Sequence, residues 1–307
     1  MLVPRDSSLE VKALGLTFAS PLGVAAGLDK EAECFAGLGD LGFGHVEVGT
    51  VTAHAQAGNP KPRVGRLPSD HALYNRMGFP NPGAAAFAQR LAERPPNVVV
   101  GVNVGKSMEV ELADAAADYR ATVRQLAPLA DYLVINVSSP NTPGLRSMQS
   151  VDELRGLVDA VRDELRTIGH APPLLVKIAP DLADAEIDAI ADYAVETGLD
   201  GLVAVNTTID TALLQHSPAE ERAAVYGGIS GAPLKARAVE VLRRLRARAG
   251  DDLVLISVGG IESADDAWER LEAGATLVQA YTGFVYGGPL WPRRVNRQLA
   301  RRAAGRD

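Results

Sequence analysis

The chain is poor in the residues that most often declare a function. A single cysteine, Cys34, among 307 residues excludes an intrachain disulfide and any multi-cysteine metal or cluster site, and it fits a reducing, cytoplasmic setting. Cys34 falls in the first helical segment, where core packing is the expected role rather than nucleophilic attack. The five histidines are scattered with no pair at metal spacing, so each is expected on the surface or in a loop, and no metal site is expected. No apolar run approaches the roughly 18 to 20 residues that cross a bilayer, and MLVPRDSSLE lacks the basic and apolar regions of a signal peptide. Positive charge is in deficit as well. A net charge of −7 argues against general attraction to phosphates, so no nucleic-acid partner is expected. The one locally basic stretch, RRVNRQLARRAAGR from 293, reads as the solvated face of a last helix.

What is present is repetition. Short β-branched runs alternate with longer segments of helical periodicity, and eight such pairs can be counted. The strand candidates are PLGVAAG from 21, HVEVGTV from 45, VVVGVNVG from 98, YLVINVSS from 132, LLVKIAP from 174, GLVAVNTT from 201, LVLISVGG from 253 and TLVQAYTG from 276. Between them, stretches such as VDELRGLVDAVRDELRTI repeat apolar residues every three or four positions and read as crossover helices. Near-continuous apolar strands imply a parallel sheet covered by helices, and eight repeats favour closure. The fold predicted is therefore α/β, a (β/α)8 barrel in one domain over residues 1–307. The segment LEVKALGLTF before the first strand reads as a hairpin closing the bottom of the barrel. Two connections, Thr50 to about Pro82 and Thr208 to about Gly231, are too long for turns and read as lids or binding loops.

In such barrels the chemistry sits where strands end. Strand one ends in Lys30, two in Thr50, three in Asn103 and Lys106, four in NVSSPN, five in Lys177, six in NTT, seven in GG and eight in YTG. Three of these ends, those of strands three, four and six, offer asparagine amides, and none offers a cluster of carboxylates or histidines. Carboxamides donate and accept at once, so they match a flat heterocycle whose edge alternates N–H and C=O. Lys177 is the candidate to stabilise negative charge on a bound ring, as a reduced flavin presents; its plainer reading is an ion pair with Asp181 or another strand-end carboxylate. GGISG (227–231) and SVGGIES (257–263) bring bare N–H groups to the usual phosphate corner, where Ser263 opens a helix whose dipole favours an anion. Either glycine pair alone reads equally as a tight turn. GLGDLG (37–42) matches G-x-G-x-x-G but precedes a strand, so it reads as a helix ending in turns. By composition Ser138 and Ser139 rank equally as reactive hydroxyls, and strand alternation says only that they face opposite sides.

With NVSSPNTPGLR, AAGLDK, NRMGF, VKIAPD, NTT, GGISG and SVGGI in one order, the sequence closely resembles the dihydroorotate dehydrogenase family, in its serine-based, quinone-using class, from about residue 9 to about 300. That resemblance implies an FMN barrel oxidising dihydroorotate to orotate in pyrimidine synthesis. It assigns Ser139 as catalytic base, Thr142 to the proton route and Phe79 as the shield against water. It implies that Lys30, the run Asn75, Arg76, Met77, Gly78 and Phe79, and Asn136, Asn141, Asn206 and Thr207 bind substrate. It implies that Ala26, Gly27, Leu28, Asp29, Lys30, Thr50, Asn103, Asn136, Lys177, Val205, Gly231, Gly260, Tyr281 and Thr282 hold FMN. The prolines of NVSSPNTPG are read as stiffening the loop that presents the base.

The chain departs from the family pattern at Pro80, commonly asparagine, and at Thr282, commonly serine. Family members also begin with a helical pair that docks on the membrane and channels quinone. Met1 lies only a few residues before the hairpin, so that pair is expected to be absent. Quinone is the acceptor implied, with fumarate or a soluble carrier, or a different dihydropyrimidine substrate, as the alternative; a barrel that binds flavin or phosphate without catalysis is the third reading. The quinone class implies a monomer in the cytoplasm with peripheral contact at the inner face of the cell membrane.

Overall fold

The structure is a computed structural model that describes residues 6–94, 98–142 and 144–305. In chain order its strands are β1 (Val11–Ala13), β2 (Leu16–Phe18), β3 (Leu22–Val24), β4 (His45–Val51), β5 (Val64–Leu67), β6 (Ala72–Asn75), β7 (Val99–Val104), β8 (Tyr132–Asn136), β9 (Leu174–Ile178), β10 (Gly201–Ala204), β11 (Gly228–Gly231), β12 (Val254–Val258) and β13 (Leu277–Ala280). The helices are α1 (Phe35–Asp40), α2 (Ala84–Ala92), α3 (Ala115–Leu126), α4 (Val151–Ile168), α5 (Asp184–Glu196), α6 (Ala219–Ala223), α7 (Lys235–Ala249), α8 (Ala264–Glu272), α9 (Thr282–Gly287) and α10 (Trp291–Ala303). Eight parallel strands close in the order β10-β12-β13-β3-β4-β7-β8-β9, and each coincides with one of the eight β-branched runs. The chain is thus an α/β protein of the (β/α)8 type.

Alternation along each strand divides the core in two. Val46 and Val48 of β4, Leu133 and Ile135 of β8, and Val176 and Ile178 of β9 face the helices in the larger apolar cluster. The intervening residues point into the barrel, where Tyr132, Val134, Leu175, Val203, Ile256 and Leu277 pack on Phe18 of the hairpin. Fully burying each aliphatic side chain among these contributes roughly 1.5–3 kcal/mol. β1 and β2 pair antiparallel, and Val11, Ala13, Leu14 and Leu16 pack against this interior cluster, so the hairpin plugs the bottom as expected. Higher in the barrel the inward positions turn polar, with Glu47, Asn103, Asn136, Lys177 and Gln279 all buried.

Three expectations need correction here. His45, read as a surface or loop residue, is fully buried inside the barrel, its ring edge-on to Phe18 at 5.3 Å. Gly23 makes room for it, since a Cβ there would lie 2.2 Å from the imidazole. Burial lowers the His45 pKa to about 3, so the ring is neutral. Cys34, read as core, is exposed: α1 buries Phe35 and Leu38, and Cys34 precedes its first turn. Burial, then Asp29 and Glu33, push its thiol pKa up, which disfavours the nucleophilic thiolate. Lys106, read as near the mouth, is turned away and donates to the backbone oxygens of Ser107 and Val110. GLGDLG does end a helix, with Gly42 at φ +113°. Residues 1–5, part of the segment searched for a signal peptide, and Arg306 of the basic stretch lie outside the described residues.

The two long connections meet to form an unforeseen element. β5 and β6 come from the first, β11 from the second, and together they make a three-stranded antiparallel sheet, β11-β6-β5, over the mouth. Its apolar support is a small cluster of Leu67, Ala72, Leu214 and Ile229. Asp70 ties the two connections together by accepting from the backbone N–H groups of Gln215, His216 and Ser217 at 2.8–2.9 Å.

Candidate active site

Between the barrel's upper rim and this cover lies a cleft open to solvent on one side. Nineteen of the residues proposed from the sequence line it: Ala26, Gly27, Lys30, Thr50, Asn75, Met77, Gly78, Phe79, Asn136, Ser139, Asn141, Lys177, Val205, Asn206, Thr207, Gly231, Gly260, Tyr281 and Thr282. Five do not. Arg76 points away, donating to Pro62 O and stacking 4.2 Å over the Tyr226 ring. Asp29 accepts from the backbone of Glu33 and Cys34, and Leu28 packs on the outer core. Asn103 lies one layer beneath the cleft, and the Thr142 hydroxyl is buried with no hydrogen-bond partner among the described residues. Pro140 lines the cleft, and Pro143 lies outside the described residues.

The floor is a ladder of amides whose direction is set from below. Glu47, fully buried, accepts from Asn103 Nδ2 and from Gln279 Nε2, each at 2.8 Å. With its amide nitrogen so committed, Asn103 turns its oxygen upward, where Thr50 Oγ1 (2.5 Å) and Asn136 Nδ2 (3.0 Å) donate to it. Asn136 then offers its own oxygen to the backbone N–H and hydroxyl of Ser138 and to Asn206 Nδ2. Sequence reasoning passed over Glu47 and Gln279. The available signal was a glutamate between valines in β4, two positions from His45 and therefore on the same inward face.

Lys177 is 3.8 Å from Glu47 Oε1, so the ion pair weighed from the sequence exists, but with Glu47; Asp181 pairs with Arg146 instead. Burial lowers the Lys177 pKa and Glu47 opposes that shift. Lys30 is intermediate in exposure and faces the same cleft; burial, then the positive charges of Lys177 and Arg63, bring it down to about 8.

The two serines separate cleanly. Ser138 is buried in the floor, its hydroxyl donating to Asn136 and accepting from Asn206, and does not line the cleft. Ser139 does, at 5% exposure, with Asn141 N–H donating to its Oγ at 3.2 Å. Phe79, also lining the cleft, is 6% exposed. At the far corner Gly231, Gly259, Gly260 and Gly283 present bare backbone, and Ser230 and Thr282 hydroxyls meet at 2.9 Å. A Cβ on Gly231 would lie 2.3 Å from His71 O and 2.9 Å from Thr282 Cγ2. The reading of Ser263 is corrected: it caps α8, but Asp266 answers that terminus from within by accepting from Glu262 N and Ser263 N, and Lys235 pairs with it at 2.7 Å.

A (β/α)8 barrel whose loops converge on an amide floor, a buried lysine, a nearly buried serine and a glycine corner has the form of an enzyme's active site. The model of the dihydroorotate dehydrogenase family matches residues 8–302, and the chain belongs to that family. It is 58% identical over 305 residues to a dihydroorotate dehydrogenase (quinone) of Thermobifida fusca, covering 98% of this chain and 81% of that one. A relative of the same name from Rhodococcus erythropolis is 57% identical, with 99% and 85% covered. Among solved structures, the ligand-free DHODH of Eimeria tenella superposes with a TM-score of 0.92 at 42% identity, covering 99% of this chain and 90% of that one. The same enzyme in complex with ferulenol gives 0.91 at 41%, with 99% and 87% covered.

Proposed function

We propose that this chain oxidises dihydroorotate to orotate with FMN as prosthetic group and passes the electrons to a quinone, in the pathway to UMP. The carrying observation is convergence: Lys30, Phe79, Ser139 and the amides of Asn75, Asn136, Asn141 and Asn206, which come from several separate strand ends and loops, line one cleft. The donor set also suits FMN. Lys177 would face the ring, Thr50 and Asn136 its edge, and the bare N–H groups near Gly231, Gly260 and Thr282 its phosphate. When bound, FMN supplies the hydride acceptor that no amino-acid side chain provides.

The chain's own part is binding and proton transfer. Lys30 offers positive charge to a substrate carboxylate, while the asparagines pair with the alternating N–H and C=O edge of a pyrimidine. Ser139 takes the proton from the substrate carbon. A hydroxyl is a weak base at neutral pH, so it must release its own proton as it gains one; Phe79 keeps bulk water away, and the Thr142 hydroxyl, without a hydrogen-bond partner among the described residues, stands in the same loop as the onward acceptor. On this reading the protein works as a monomer in the cytoplasm, in peripheral contact with the inner face of the membrane. Among the described residues no helix is long and apolar enough to cross a membrane.

The test begins with colour. The purified protein is expected to bind FMN, to bleach when dihydroorotate is added without oxygen, and to recover faster with a soluble quinone than with fumarate. Ser139→Ala should keep the flavin and bleach about 10²–10⁴-fold more slowly. A colourless protein that takes up no FMN would sink the reading, and a variant that bleaches normally would remove Ser139 from it.

A further inference from the structure

The loop after β8 carries Ser139 and returns through a 3₁₀ turn, Leu145–Gln149. The turn is well seated. Leu145 and Met148 are buried, and Gln149 Oε1 accepts from Ala179 N at 2.8 Å. From it Arg146 reaches three loops with its three guanidinium nitrogens. Nε donates to Ser138 O at 3.1 Å, Nη2 to Thr207 O at 2.9 Å, and Nη1 pairs with Asp181 Oδ2 at 2.7 Å. Asp181 in turn accepts from the Thr208 hydroxyl and, at 3.4 Å, from Ile209 N.

Two of the three contacts fall at or next to a residue lining the cleft, and the third, to Asp181, anchors the guanidinium between them. Ser138 O belongs to the planar peptide unit that leads into Ser139, so holding it fixes the plane from which the Ser139 side chain departs. Thr207 O belongs to a residue that lines the cleft directly after Asn206. Arg146 and Asp181 do not line it themselves, and each is 22% exposed, so their attraction is only partly screened. A lysine, as a single point charge, cannot reproduce the planar fork that spans both carbonyls and the carboxylate.

We propose that Arg146, held by Asp181, is a positioning residue that sets Ser139 against the substrate held by Asn206 and Thr207. This rests on the function proposed above. Loosening it misplaces the base without removing either the base or the groups facing FMN.

The experiment uses the full chain loaded with FMN and compares wild type with Arg146→Lys and Arg146→Ala. Both variants are expected to retain FMN and a near-native melting temperature, to lose under about tenfold in orotate affinity, and to bleach with dihydroorotate about 100-fold more slowly. Added guanidinium is expected to restore part of the rate to Arg146→Ala while leaving wild type unchanged. Bleaching within about twofold of wild type overturns the inference. So does a rate loss that merely tracks lost FMN and a falling melting temperature. Should neither variant fold, Asp181→Asn keeps both carbonyl bonds and removes the countercharge; severalfold slower bleaching supports the inference, and an unchanged rate overturns it. A wild-type protein that binds no FMN overturns the proposed function and this inference together, whereas unimpaired variants beside a bleaching wild type overturn this inference alone.

Discussion

Below the cleft, Glu47, Asn103, Asn136 and Gln279 are buried and bonded to one another across four barrel strands; above it, β5, β6 and β11 rest on a four-residue apolar cluster and the Asp70 latch. In the floor each donor is answered by an acceptor whose own direction is already decided, so a single reversed amide conflicts with its neighbour. The cover has few such commitments. Segments with little buried apolar contact open at lower free energy than a packed core, so the cover is expected to open more readily than the floor.

Attacking the floor should have the largest effect. Glu47→Ala strands the Lys177 ammonium and frees the Asn103 amide, and a cost of about 3–5 kcal/mol in urea unfolding, with loss of FMN, is expected. A stable variant that keeps its flavin would mean that the floor does not depend on this carboxylate. Acid should separate the two layers. The folded pKa of His45, about 3, lies below its unfolded value near 6.5, so the unfolded chain binds more protons between them and stability falls as pH drops through that window, by up to about 1.4 kcal/mol per unit. His45→Phe should flatten the urea midpoint over the same range. Burial pushes the Asp70 carboxyl up, but the hydrogen bonds from Ser217, His216 and Gln215 outweigh it and hold the group below the usual carboxylate range. The latch therefore contributes fully above about pH 4 and is lost only as pH falls through that lowered value.

Asp70→Ala should be milder and local, costing about 1.5–3 kcal/mol in the cover. Hydrogen exchange at residues 215–217 should rise while bound FMN is retained; release of FMN would show that the two layers are not independent. Smallest is the Lys30 effect. With its pKa near 8, its charge is lost above that pH, and orotate affinity is expected to fall by at most about tenfold per unit. Lys30→Met should give weak, flat binding across the same range. In the absence of ligand the sign reverses: between about 8 and 10.5 the unfolded chain still holds a proton the native lysine has released, so the protein gains stability as pH rises.

The same contrast decides what could be read from the chain. Barrel strands announce themselves because both faces are buried, which demands runs such as YLVIN and LLVKI, and their ends supplied most of the cleft lining. The cover does not. β11 is GISG and β5 is VGRL, too short and too glycine-rich for any periodicity, and the partner of β6 is far away in the chain. His45 was misjudged because an inward histidine needs a glycine opposite it on a neighbouring strand, a relation that register reveals and spacing does not. Ser138 and Ser139 could be parted only by the amides around them, and Asn206, which holds Ser138 in the floor, arrives from a distant strand end.

Asn75 and Gly228, which meet in the cover, lie 153 positions apart in the chain. On the ribosome the β5–β6 hairpin therefore emerges long before the strand that completes its roof, and closure over such a span is intrinsically late. Until β11 has been made, the mouth of the nascent barrel lacks the strand that completes its cover.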